Sequence, residues 1–258
     1  MRPFTLMTLG SILVLTLACG GGSTTPPESA TPAAAPAGAM TVNEATAGNI
    51  NGKIVLEGTA PPADVIKMNA DPVCMREAKG NTQSETFIVG DGGALANVFV
   101  YVKDGLGSYQ FTTPTEPFVL DQQGCRYHPH VFGVRVGQPM QILNSDPTLH
   151  NIHALPKANS EFNTGQPIKG MKTDHTFTAK EVMVPFKCDV HGWMNAYAGV
   201  LDHPYFAVTT TDGTFSLKSL PPGTYTVEAW HEKLGPMTQS VTIGEKETKD
   251  ANFSFKAS

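Results

Sequence analysis

Cys188-Asp189-Val190-His191-Gly192-Trp193-Met194 carries a thiol, an imidazole and a thioether, each separated from the next by two residues. A loop this short can turn all three groups back to one point. Soft thiolate and thioether ligands beside imidazole select copper, and two histidines with one cysteine and a weak axial methionine suit one-electron copper chemistry. Zinc accepts cysteine and histidine but rarely recruits methionine. A binuclear copper centre needs a second cysteine in the loop, which Asp189 and Val190 do not supply. The second histidine must come from another segment. His150 and His153 both occur upstream in Leu149-His150-Asn151-Ile152-His153, and in an extended chain they face opposite sides, so they compete for one place.

The elements that position these groups read as strands. Val182, Val184, Phe186 and Cys188 alternate with Met183, Pro185 and Lys187, which puts Cys188 on an inward face at the end of a strand. Lys53–Leu56, Ala96–Val102, Phe132–Val136, Met140–Leu143, Thr214–Leu217, Tyr225–Trp230 and Val241–Ile243 are further short runs rich in β-branched and aromatic residues. Asp212-Gly213 is a hairpin-turn signal, and Pro221-Pro222-Gly223 marks another turn. Long helical periodicity is absent. The expectation is an all-β chain of sandwiches or Greek-key barrels.

Two family resemblances divide this region. Gly137-Gln138-Pro139-Met140 through Asn144 and His150-Asn151, followed by Cys188-x-x-His191-x-x-Met194, resembles the cupredoxins of the amicyanin and pseudoazurin type. That resemblance implies a Greek-key β-sandwich with one type 1 copper held by His150, Cys188, His191 and Met194. It further implies that Asn151 ties the two ligand loops together by hydrogen bonding and that His191 lies near the surface as the port for electrons. Thr211 to Leu217 with Leu220 to Val227 resembles the carboxypeptidase regulatory-like domain, a transthyretin-like β-sandwich. Its first strands have counterparts far upstream, in Gly52-Lys53-Ile54-Val55 and Leu95 to Val102. The reading is therefore a copper domain at 118–203 inserted in a discontinuous sandwich formed by 48–117 and 204–258. Two adjoining domains are the alternative.

At the N-terminus, Arg2 precedes an uncharged apolar stretch from Phe4 to Ala18, short for a spanning helix and suited to a secretory signal. Leu15-Thr16-Leu17-Ala18-Cys19 resembles a bacterial lipoprotein cleavage box, which implies a lipid on Cys19 and a place in the cell envelope facing the periplasm. Ordinary cleavage after Ala18 would instead release a secreted soluble protein. Residues 1–19 are thus the signal, and the Gly-, Ala- and Pro-rich residues 20–47 a flexible tether. With Cys19 lipidated and Cys188 on metal, Cys74 and Cys125 remain as a disulfide pair in an oxidising compartment. Unpaired buried thiols, or a disulfide that consumes Cys188, are the alternatives. No Cys-x-x-Cys-His occurs, which excludes covalent c-type haem.

The net charge of −5 and the lack of a basic run give nucleic acid nothing to bind. His128-Pro129-His130 could join His153 in a further metal site, or these histidines could be strand-edge groups supporting the first. Trp193 and Tyr197 flank the ligand loop, either as an apolar docking patch or as packing between domains. Phe162 to Pro167 reads as a loop. With every copper position filled by protein, the expected role is a non-enzymatic electron carrier. Its partners would be redox proteins, with the membrane reached through the lipid anchor and no small-molecule substrate. Copper delivery or storage is one alternative, and an adhesion or carbohydrate-associated module with an accessory copper domain is another.

Overall fold

Alternation of apolar and polar residues organises the chain into four sheets, seen in a computed structural model that describes residues 40–257. Cys19, the expected signal segment and the expected tether up to residue 39 lie outside the described residues. The all-β expectation holds.

One sheet centres on β1 (Gly48–Glu57), whose Ile50, Ile54 and Leu56 point inward. The sheet opposite centres on β2 (Phe99–Asp104). Both are completed by the end of the chain. β1 pairs with β13 (Thr214–Leu220), β16 (Thr248–Asp250) and β17 (Phe253–Lys256). β2 lies between β12 (Phe206–Val208) and β14 (Gly223–His231), and β14 pairs onward with β15 (Gly235–Ile243). Ile50, Ile54, Val100, Val102, Leu217, Tyr225, Val227 and Phe253 fill the space between these two sheets.

The residues between them in sequence build a second pair of sheets. The first has the order β5 (Val131–Arg135), β11 (Asn195–Leu201), β10 (Glu181–Lys187), β7 (His150–Ala154) and β8 (Phe162–Gln166). The second has the order β4 (Tyr127–His128), β3 (Phe118–Gln122), β6 (Met140–Asn144) and β9 (Lys172–His175). Leu120, Phe132, Met140, Ile142, Ile152, Val184 and Phe186 form their core, into which Cys188 and Met194 also pack.

A seam of aromatic residues joins the two sandwiches. Phe99 and Tyr101 of β2, Phe206 of β12 and Trp230 of β14 meet Val131, Met183, Tyr197 and Leu201. Close approach requires glycine at Gly199, where a Cβ would collide with the Phe99 ring, and at Gly133, where it would collide with Phe206. Met183 reaches the seam because β10 bulges between Glu181 and Val184, with Met183 at φ 62°. Beyond the bulge Val184, Phe186 and Cys188 keep the inward alternation.

Several local expectations change. The strand expected at Ala96 begins at Phe99, because Asn97 is left-handed at φ 57°. Phe162–Gln166 is a strand, β8, at the edge of its sheet. Asp212-Gly213 does not close a hairpin: β12 pairs with β2 while β13 pairs with β1, so the turn crosses between sheets. A short helix, α1 (Pro72–Glu77), starts at Asp71, whose side chain accepts hydrogen bonds from the Val73 and Cys74 amides.

Candidate metal centre

β10 delivers Cys188 inward, and the loop after it is closed by Cys188 N–H donating to the Met194 carbonyl (3.2 Å) and Met194 N–H to the His191 carbonyl (2.9 Å). β7 pairs with β10 and opens with His150, so the second histidine arrives beside the cysteine. His150 Nδ1 and His191 Nδ1 lie 3.0 Å apart, and Cys188 Sγ is 3.9 Å from His191 Nδ1. Ligand atoms of His150, Cys188 and His191 all fall within 4.8 Å of one another. Met194, 2% exposed, is buried in the same core cluster as Cys188. Cys188 is a free thiol.

Groups outside the four fix how they face. The Nε2 of His150 lies 2.9 Å from Asp146 Oδ2, and the Nε2 of His191 lies 3.0 Å from Asp71 Oδ2. A carboxylate at that distance requires a donor, so both Nε2 atoms carry the proton and both Nδ1 atoms present lone pairs. Amide N–H groups of Asn151 (3.5 Å) and His191 (3.4 Å) donate to Cys188 Sγ. Burial pushes the Cys188 thiol up, but its contacts with the His150 and His191 imidazoles and the hydrogen bonds from these two amides prevail and bring it down to about 6. Burial likewise opposes ionisation of Asp146 and protonation of His150. Their mutual hydrogen bond wins, holding the Asp146 carboxyl below and the His150 imidazole above its ordinary value.

Two imidazole lone pairs and a thiolate thus converge with no donor of their own between them. The chemistry of this set fits a soft, univalent or divalent cation, and copper above zinc once the buried thioether of Met194 is added. Two other histidine-containing clusters use Cys74 or Cys125, whose sulfurs are joined in a disulfide.

Asn151 bridges the ligand segments: its Oδ1 accepts from Asp189 N–H (2.6 Å) and its Nδ2 donates to Asp189 Oδ2 (3.2 Å). His191 does not lie at the surface. It is 3% exposed, covered by Asp71 and the disulfide-bonded Cys74, with Cys74 Sγ 3.5 Å from Nε2 and the Trp193 ring at 5.1 Å. Residues from the N-terminal part of the chain cap the edge that the family resemblance left open. Asp71 and Asp146 are the residues against the two histidines that motif reading missed. Asp146 had a local signal, four residues before His150, whereas Asp71 had only an Asp-Pro helix start.

The three further histidines do not form a second metal site among the described residues. His128 Nε2 is within 3.1 Å of the Gln123 carbonyl. His130 is spent between the Asn195 carbonyl (3.1 Å) and Glu232 Oε1 (2.6 Å). His153 faces the other side of β7, between Glu161 Oε1 (2.7 Å) and Asp189 Oδ2 (2.9 Å), which raise its pKa. Each imidazole is satisfied in a different place. Trp193 donates Nε1–H to the Cys125 carbonyl (3.0 Å), and Tyr197 packs on Trp230 with ring centroids 5.2 Å apart, so Tyr197 serves the seam.

Residues 199–256 match the model of the carboxypeptidase regulatory-like domain. No curated protein matches the chain. Among solved structures, the chain is similar to a copper-containing nitrite reductase from Thermus scotoductus SA-01, at 19% identity and TM-score 0.32, covering 34% of this chain and 23% of the reductase. It is similar to a reduced amicyanin mutant at 24% identity and TM-score 0.29, covering 34% of this chain and 96% of amicyanin. A purple cupredoxin from Nitrosopumilus maritimus matches at 19% identity and TM-score 0.28, covering 32% of this chain and 98% of that one.

Proposed function

We propose that the chain binds one copper ion through His150, Cys188, His191 and Met194 and serves as an electron-transfer protein. The observation that carries this reading is the convergence of two Nδ1 lone pairs, 3.0 Å apart, beside a buried free thiol. Copper bound there supplies a one-electron Cu(I)/Cu(II) couple. The protein's part is to hold the ligands still: Asp146 and Asp71 fix the imidazole rings, and the Asn151 and His191 amides fix the thiolate. With four protein ligands, the set leaves no place for a substrate, which favours a carrier over an enzyme. The closed cover over His191 also disfavours release of copper to a recipient, and so disfavours a delivery role.

In this reading the N-terminal segment directs export, Cys19 carries the lipid, and the partners are redox proteins of the cell envelope. Copper added to the full chain should bind at one equivalent and produce an intense thiolate-to-copper visible band, abolished in Cys188→Ser. Loading without colour would sink the proposal.

A further inference from the structure

The two carboxylates behind the histidines are joined by the disulfide. Asp71 caps α1 and gives Oδ1 to the amides of Val73 (2.7 Å) and Cys74 (3.3 Å), leaving Oδ2 for His191 Nε2 and for Thr148 Oγ1 (3.2 Å). Asp146 Oδ2 takes the Cys125 amide (2.7 Å) together with His150 Nε2, and its Oδ1 takes the Gly124 amide (2.8 Å). The path therefore runs from His191 to Asp71, along the first turn of α1 to Cys74, across to Cys125, and through Asp146 to His150. Gly124 and Cys125 are both left-handed, at φ 63° and 55°, so that successive N–H groups point at one carboxylate. That conformation is costly for a residue with a side chain and persists where surrounding contacts over-determine it.

We propose that the Cys74–Cys125 disulfide is a positioning element of the metal centre, fixing the two carboxylates that hold the outer nitrogens of both histidines. The inference rests on the copper reading above. Asp71 lies in a segment remote in sequence from every ligand, held also by Thr148 Oγ1, and Asp146 is gripped by the turn that ends at Cys125 while its own amide donates to Asn144 Oδ1 (2.9 Å). A ligand histidine whose outer partner is lost typically forfeits about 10- to 100-fold in metal affinity.

The test compares full-length wild type, Asp71→Ala, Asp71→Asn, Asp146→Ala and Cys74→Ser/Cys125→Ser. Each is read by Cu(I) competition with a chromophoric chelator and by the visible band of the Cu(II)-loaded protein. The proposal expects about 10- to 100-fold weaker binding and a displaced band in both Ala variants and in the double Ser variant. Asp71→Asn, which still accepts from Nε2–H, should fall between Asp71→Ala and wild type. Adding Asp71→Ala to the double Ser chain should cost less than it does in wild type. A disulfide that only stabilises the fold would lower the denaturation midpoint and leave band and affinity of the folded chain unchanged, which overturns the proposal. If the double Ser chain does not fold, wild-type affinity and band in both Ala variants overturn it equally. Wild type that binds no copper overturns the copper reading itself.

Discussion

His150 Nδ1 faces His191 Nδ1 at 3.0 Å, while the far nitrogen of each ring is committed to an aspartate. Acceptors so close repel unless a cation or an added proton lies between them. A cation held by both nitrogens would relieve that repulsion.

Copper binding should therefore stabilise the folded chain. At copper concentrations 100 times the dissociation constant, the folded state should gain about 2.7 kcal/mol. Denaturation with and without copper measures the gain. His150→Ala should lose most of the copper-dependent gain.

Gly199 lies under the Phe99 ring where the two sandwiches meet. Gly199→Val should destabilise the protein by about 1–3 kcal/mol through overpacking. Phe99→Ala in the same chain should return part of the loss, since the two changes share one space. Urea denaturation of the single and double variants checks this, and full additivity would contradict the packing described.

His203 is 3% exposed, and burial pulls its imidazole from the ordinary 6.5 down to about 4. The unfolded chain therefore binds more protons between these values. The sign follows: stability attributable to His203 is complete above pH 6.5 and is lost as pH falls toward 4. The loss amounts to about 3 kcal/mol at the acid end. Stability measured from pH 7 downward should fall less steeply in His203→Phe than in wild type.

Cys74 and Cys125 close a loop with a sequence separation of 51 residues. In the chain-entropy view, removing such a link costs about 4 kcal/mol. Cys74→Ser/Cys125→Ser should therefore show a markedly lower denaturation midpoint, independently of what happens at the metal centre.

What the sequence made legible was local. Cys188, His191 and Met194 stand in one short loop, and Val184 and Phe186 announce the strand that presents it. His150 required only that its neighbours be extended. By contrast, Asp71 reaches His191 across 120 residues, which no local spacing encodes. It is this contact that buries the expected electron port. Phe162-Asn163-Thr164-Gly165-Gln166 hides as a strand because it is a polar edge strand with little to bury. Asn195–Leu201 hides because its small residues answer to the seam: Gly199 must admit Phe99, so β-branched bulk is missing where strand propensity would look for it. Asp212-Gly213 shows a turn without showing its partners, since the same dipeptide serves a hairpin or a crossing between sheets.

The most direct test is the electron paramagnetic resonance spectrum of the Cu(II)-loaded full chain. A thiolate bound covalently to copper in a site held by His150, Cys188, His191 and Met194 should give a compressed copper hyperfine splitting, from one copper per chain. Cys188→Ser should restore the wide splitting of ordinary cupric sites. A wide splitting in wild type, unchanged in Cys188→Ser, would contradict the account.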